Sequence, residues 1–111
     1  MLQIIGYKNS AETRKAIRTC KECKIPFQFV DLKERDLSQG EWESIFRCIN
    51  SEDLIDTSSA YYKKNGYTYR EFDAQEELME HKELLTTPII RSKGRAAQGF
   101  DLALVDKWGE R

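Results

Sequence analysis

The chain has 111 residues, 40% of them hydrophobic and 33% charged, and its 18 basic and 19 acidic side chains leave a net charge of −1. That length suits one modest core, so a single folding unit over residues 1–111 is expected. The balanced charge removes the basic footprint that direct nucleic-acid binding needs, and apolar runs of only about four residues fall far short of a bilayer span.

Met1 leads straight into Leu2-Gln3-Ile4-Ile5, with no basic segment and apolar stretch of the secretory kind, so a cytoplasmic address is expected. Three cysteines, an odd number, argue for reduced thiols rather than a disulfide framework. One histidine beside scattered cysteines supplies no four-ligand zinc set, and no metal is expected.

In chain order, Leu2 to Gly6 is a short apolar run ended by glycine, the pattern of a central strand buried on both faces. Ser10 is an N-cap residue for a helix over roughly 11 to 23, with Glu12 near the positive end of the dipole and Ala16, Ile17 and Cys20 as an apolar stripe. After Ile25-Pro26 the run Phe27 to Leu32 predicts a second strand, with Phe27, Phe29 and Val30 as its inward candidates. A strand, a crossover helix and a strand make a βαβ unit, so the two strands should be parallel.

From Ser38 the periodicity turns helical. Trp42, Ile45, Phe46 and Ile49 mark one helix, Ala60 to Asn65 a short one closed by Gly66, and Leu78, Met79 and Leu85 a third starting near Asp73. Strands return with Thr87-Pro88-Ile89-Ile90, a turn at Ser92-Lys93-Gly94 and a hairpin partner from Arg95 to Gln98. A last helix from about Asp101 carries Leu102, Val105 and Trp108. The order is β-α-β, a helical insert at about 38–86, then β-β-α. It predicts an α/β, thioredoxin-like fold with a mixed β-sheet and an inserted helical subdomain.

Three separated signatures resemble the arsenate reductase and Spx-like (ArsC/Spx) family of the thioredoxin-like superfamily. Gly6-Tyr7-Lys8-Asn9-Ser10 with Arg14-Lys15-Ala16 is similar to the family's nucleophile motif, with Ser10 where the family has its nucleophilic cysteine. Leu54-Ile55-Asp56-Thr57-Ser58 with Tyr61-Tyr62-Lys63 is similar to the family's insert segment. Thr87-Pro88-Ile89-Ile90, Gly94-Arg95 and Gly99-Phe100-Asp101 are similar to its C-terminal signature. The resemblance implies a bacterial cytoplasmic protein with Pro88 cis, and active-site positions at Lys8, Asn9, Ser10, Thr87 and Pro88.

It also implies what is missing. Arsenate reductases have an arginine in the insert segment, near Ser58 here, and another before the cis-proline, where this chain has Thr87. Arsenate needs such forks to neutralise its charge. A cysteine at a helix start is a ready thiolate, whereas a serine hydroxyl needs a neighbouring base, and neither Lys8 nor the sequence-distant His81 is an evident one. Ser10 therefore has three readings: a cap, a place where the first-turn N–H groups hold an anion or peptide with help from Lys8, Arg14 and Lys15, or a substitution for an original cysteine.

Cys20-Lys21-Glu22-Cys23 is a C-x-x-C, but it falls at the negative end of its helix, where a thiolate is disfavoured, so Cys20 and Cys23 are redox candidates set against a buried, inert reading of Cys20. Cys48 is expected to be partly buried and His81 to lie on the surface. Tyr61, Tyr62, Tyr67 and Tyr69, interleaved with Lys63, Lys64 and Arg70, are a candidate protein-binding patch or the cover of an internal seam.

Two functions follow. The first is a non-catalytic binding or regulatory protein without a cofactor, its partner RNA polymerase by analogy with Spx-type relatives. The second is a thiol-dependent oxidoreductase of the arsenate reductase kind, using glutathione.

Overall fold

The computed structural model describes residues 1–109. A four-stranded sheet carries the chain: β1 (Leu2–Gly6), β2 (Phe27–Asp31), β3 (Ile89–Ser92) and β4 (Arg95–Gln98), in the spatial order β2-β1-β3-β4. β1 and β2 are parallel across the helix α1 (Ala11–Glu22), as a βαβ unit requires, whereas β3 runs antiparallel to both β1 and β4. The sheet is therefore mixed. Between β2 and β3 lie three α-helices, α2 (Gln39–Cys48), α3 (Ala60–Lys64) and α4 (Ala74–Glu80), and α5 (Leu102–Lys107) follows the hairpin.

The period of two along the strands divides the core. Leu2, Ile4 and Ile90 point to one face and meet Ala16 and Cys20 of α1 and Val105 of α5. Ile5, Val30 and Ile89 point to the other and meet Trp42, Ile45, Leu54, Tyr67, Leu78 and Leu84 of the insert. In β2 the same alternation sends Phe27 and Phe29 to the α1 face, partly covered, and buries Val30 under the insert. The inward set of β2 is thus split between two cores.

Caps end the helices where the sequence places polar residues. Ser38 and Glu41 form a reciprocal capping box on α2, with Glu41 N donating to Ser38 Oγ at 3.2 Å and Ser38 N donating to Glu41 Oε1 at 2.8 Å. Ser59 and Asp73 cap α3 and α4 through their side chains. α1 closes differently, with Ile25 N donating to Cys20 O at 2.8 Å and Lys24 N to Lys21 O at 3.3 Å, while Lys24 takes a left-handed φ of 56°. That is the pattern of a Schellman motif with lysine where glycine is commonest.

The insert is stitched to the sheet by a short ladder. Ile55 bridges Leu85, Asp56 N donates to Leu84 O at 2.8 Å and Thr86 N to Leu54 O at 2.8 Å. Gln98 Nε2 clamps it from β4, donating to Asp53 O at 2.7 Å and Thr86 Oγ1 at 2.9 Å. Two details of the insert differ from the periodicity. α4 stops at Glu80, so Leu85 is buried through the ladder rather than as a helical residue, and Met79 is 38% exposed because only Ala74 and Leu78 of that helix face inward.

The tight approach of α1 to β1 explains Gly6. A Cβ there would sit 2.5 Å from Thr13 Oγ1, inside the contact distance. Gly6→Ala should cost about 1–3 kcal/mol in a urea titration, and Thr13→Ala in the same chain should recover part of that loss. An additive pair of effects would contradict this packing.

Glu41 also makes a measurable contribution. The hydrogen bond from Arg35, at 2.9 Å, together with the Ser38 N–H, outweighs burial and holds its carboxyl at about 2, against an ordinary 4.5. A depressed carboxyl contributes stability above its unfolded-state value and loses it as pH falls through the folded one. Glu41→Gln should lower stability by about 1–2 kcal/mol at neutral pH after allowance for solvent screening, and the gap should close between pH 4.5 and 2 in thermal melts.

Candidate functional site

At the C-terminal end of β1 the chain turns through Tyr7, Lys8 and Asn9, with Ser10 N donating to Tyr7 O at 3.1 Å. Ser10 is extended (φ −81°, ψ 123°) and its Oγ accepts from Thr13 N at 3.3 Å, so the hydroxyl is occupied as the N-cap of α1. Arg14 folds back over the turn, its Nη1 donating to Lys8 O at 3.3 Å. Lys8 Nζ lies 3.8 Å from Asp31 Oδ2. A cavity of about 450 Å³ borders this turn, lined by Tyr7, Lys8, Asn9, Asp31, Lys33 and Glu34.

The second part of the site comes from β3. The Thr87–Pro88 bond is cis, as the resemblance implies, and Pro88 is buried with its carbonyl accepting from Gly99 N at 2.9 Å. Because Ile5 pairs with Ile89, the register carries Pro88 alongside Gly6. Lys8, Asn9, Ser10, Thr87 and Pro88 are thus gathered at one end of the sheet, although eighty residues of sequence separate the turn from the proline.

The electrostatics there oppose a phenolate at Tyr7. Tyr7 Oη is buried with no hydrogen-bond partner among the described residues, and its phenol is pushed up to about 12, chiefly by burial and then by the carboxylates of Glu83, Asp31 and Asp36. These acids come from β2, the loop after it and the end of the insert. Ser58, near the position where the resemblance implies an arginine, is instead held by Asp56, whose Oδ1 accepts from Ser58 N at 3.0 Å and Ser58 Oγ at 2.6 Å. Sequence reasoning did not single out Tyr7 or its acidic neighbours. Tyr7 stood inside the quoted motif, but the convergence of Asp31, Asp36 and Glu83 upon it is purely tertiary.

The thiols lie elsewhere. Cys20 is fully buried between α1 and the sheet, and burial, followed by the proximity of Cys23, pushes its thiol up to about 11. Cys23, the half-buried C-cap of α1, is also a free thiol. Cys48 differs from expectation: it is exposed at the end of α2, and its thiol donates to Gly94 O of the hairpin turn at 3.3 Å.

His81 also departs from expectation, being partly buried. Its Nδ1 lies 2.8 Å from Tyr61 Oη, and its Nε2 lies 3.6 Å from Glu77 and 3.9 Å from Glu80. Glu77, Glu80 and His81 bring ligand-type atoms within 4.8 Å of one another. Glu77 is already engaged by Tyr67 Oη at 3.0 Å and Arg70 at 3.7 Å, which makes the group a hydrogen-bonded ion cluster that ties α4 to the aromatic residues. Of the four tyrosines, Tyr67 is 2% exposed inside the core, Tyr61 and Tyr62 pack on it, and Tyr69 is 92% exposed. The tyrosine cluster is mainly the internal seam of the insert.

A mixed sheet in this order, with a cis-proline beside the turn that opens α1, defines a thioredoxin-like α/β protein. The chain belongs to the ArsC family, which it matches over residues 5–108. Among solved structures it is similar to a protein called YFFB, with 16% identity, 96% of this chain and 97% of that one covered, and a TM-score of 0.82. It is similar also to an arsenate reductase from Vibrio cholerae, with 16% identity, 87% of each chain covered and a TM-score of 0.73. An arsenate reductase (ArsC) related protein from Brucella melitensis gives 18% identity, 99% and 95% coverage and a TM-score of 0.71. No curated protein matches the chain closely enough in sequence to count as a relative. Among the described residues no helix is long and apolar enough to cross a membrane.

Tyr7 offers a spectroscopic test of the acidic pocket. Its folded value lies above the ordinary 10, so the stability tied to its protonated form is intact below pH 10 and is lost as pH rises through about 12. In a phenolate absorbance titration, the Tyr7→Phe chain should match the unaltered one through the first ionisation wave and differ only beyond it. A Tyr7 contribution within that first wave would contradict the pocket described here.

Proposed function

We propose that this ArsC-family protein acts by binding rather than by thiol chemistry, as a cytoplasmic regulatory or adaptor protein. The observation that carries the reading is the state of Ser10. Its hydroxyl serves the Thr13 amide, no thiol stands at the start of α1, and the carboxylates that raise Tyr7 add negative charge near the turn, which works against a developing anion. Of the cations near the turn, Arg14 folds onto Lys8 O and Lys8 faces Asp31. By analogy with Spx-type relatives the partner would be RNA polymerase, through the C-terminal domain of its α-subunit.

The competing oxidoreductase reading, with glutathione as reductant, needs a low-pKa thiol. Cys20 argues against it by its raised value. That leaves the half-buried Cys23 and the exposed Cys48 as the thiols to watch, and native-state maleimide labelling should find no fast-reacting cysteine among them.

The decisive experiment restores the thiol. Ser10→Cys should give a cysteine whose pKa, read from the pH dependence of alkylation, stays within about one unit of the ordinary 8.5. Neither version should reduce arsenate in the presence of glutathione. A thiol ionised well below neutrality together with arsenate turnover would overturn the binding reading, because it would mean that a single atom separates this site from a working reductase.

A further inference from the structure

The insert contains a second cavity, of about 440 Å³, remote in sequence from the Ser10 turn. Its walls are apolar and aromatic, from Ile55, Tyr62, Phe72 and Ala74, and its rim carries Glu52 and Glu71. The aromatic wall is firmly set: Tyr62 stacks on Tyr67 with centroids 5.6 Å apart, and Phe72 meets Tyr67 edge-on at 5.0 Å. Phe72 and Tyr62 remain only partly buried, so part of each ring is still uncovered.

The charges around this cavity are of one effective sign. Arg70 also lines it, but its guanidinium lies 4.2 Å over the Tyr67 ring and 3.7 Å from Glu77, so that cation is already matched. Among the described residues, neither Glu52 nor Glu71 has a cation within ion-pair distance. Asp73 extends the acidic rim into an adjoining hollow that shares Glu52 and Phe72. The wider field agrees. Residues 38–86 carry eleven acidic and five basic side chains, a net of −6, against eight acidic and thirteen basic elsewhere, a net of +5. An anionic ligand would be repelled on approach, whereas a cation would be steered in and meet aromatic surface inside.

We infer that this cavity receives an arginine or lysine side chain from a basic, exposed segment of a protein partner. The alkyl stem would lie against Ile55 and Ala74, the cationic head would sit against the uncovered ring surface of Tyr62 and Phe72, and Glu52 and Glu71 would complete its charge. Arg70 over Tyr67 shows that this aromatic group already hosts one guanidinium. The inference rests on the binding reading above and adds the chemistry of the partner and the place where it docks.

The test uses the isotope-labelled full chain, titrated with a short acetylated and amidated peptide of arginine, glycine and serine. A parallel titration uses the same peptide with neutral citrulline in place of arginine. Saturable amide shifts should centre on Glu71, Phe72 and Ala74 with the arginine peptide only. The surface pair Glu52→Gln and Glu71→Gln, which removes charge without touching the core, should weaken binding about tenfold, and Phe72→Leu about threefold or more. Equal binding by the citrulline peptide, shifts spread along Glu76, Glu80 and Glu83 without a centre at the cavity, or unchanged affinity in the double glutamine variant would each overturn the inference. Those failures leave the Ser10→Cys result untouched. Conversely, a working thiol at position 10 would defeat the binding reading without altering this titration, so the two claims fail separately.

Discussion

The antiparallel pairing of β1 with β3 is the constraint on which the rest of this protein depends. It sets Ile4 against Ile90 and Ile5 against Ile89, so one pair faces α1 and α5 while the next faces the insert. Both cores are therefore built on the same few residues. A slip of one position in that register would exchange the faces, placing Arg91 where Ile90 is buried. The register also fixes Pro88 beside Gly6, and with it the meeting of the turn before α1 and the segment leaving the insert.

That meeting point gathers the backbone features and the side chains of the candidate site. The backbone features of the ArsC family are present: the turn into α1, the cis-proline and the glycine that lets α1 approach β1. A capped serine stands beside a buried phenol that its surroundings, chiefly burial and then three carboxylates, hold in the protonated form. A shared scaffold does not carry its chemistry with it.

Much of the architecture was legible from local signals. Leu2–Gly6, the Ser10 cap, the helical start at Ser38 and the tight turn at Lys93-Gly94, where both residues have positive φ, each follow from patterns a few residues long. The misreadings share one cause, which is burial decided by distant segments. Tyr67 and Tyr69 stayed open between surface patch and internal seam because spacing within the segment cannot reveal that Phe72 and Glu77 enclose Tyr67 alone. His81 is drawn inward by Tyr61, twenty residues earlier. Cys48 escapes burial because α2 ends there, leaving the thiol beside the hairpin turn. At the site itself, Lys8 to Ser10 and Thr87-Pro88 were readable from motif resemblance, whereas the acidic surroundings of Tyr7 were not.

The ladder joining residues 54–56 to 84–86 has a topological consequence. It closes residues 57–83 of the insert, though not α2, into a loop whose two ends lie side by side, held by Gln98 from the neighbouring strand. The entropic cost of such a closure grows only slowly with loop length. Exposed stretches between the ladder strands, such as the one that carries Tyr69, can therefore lengthen at little cost, whereas Tyr67, Ala74 and Leu78 stay tied to the core that they share with the sheet.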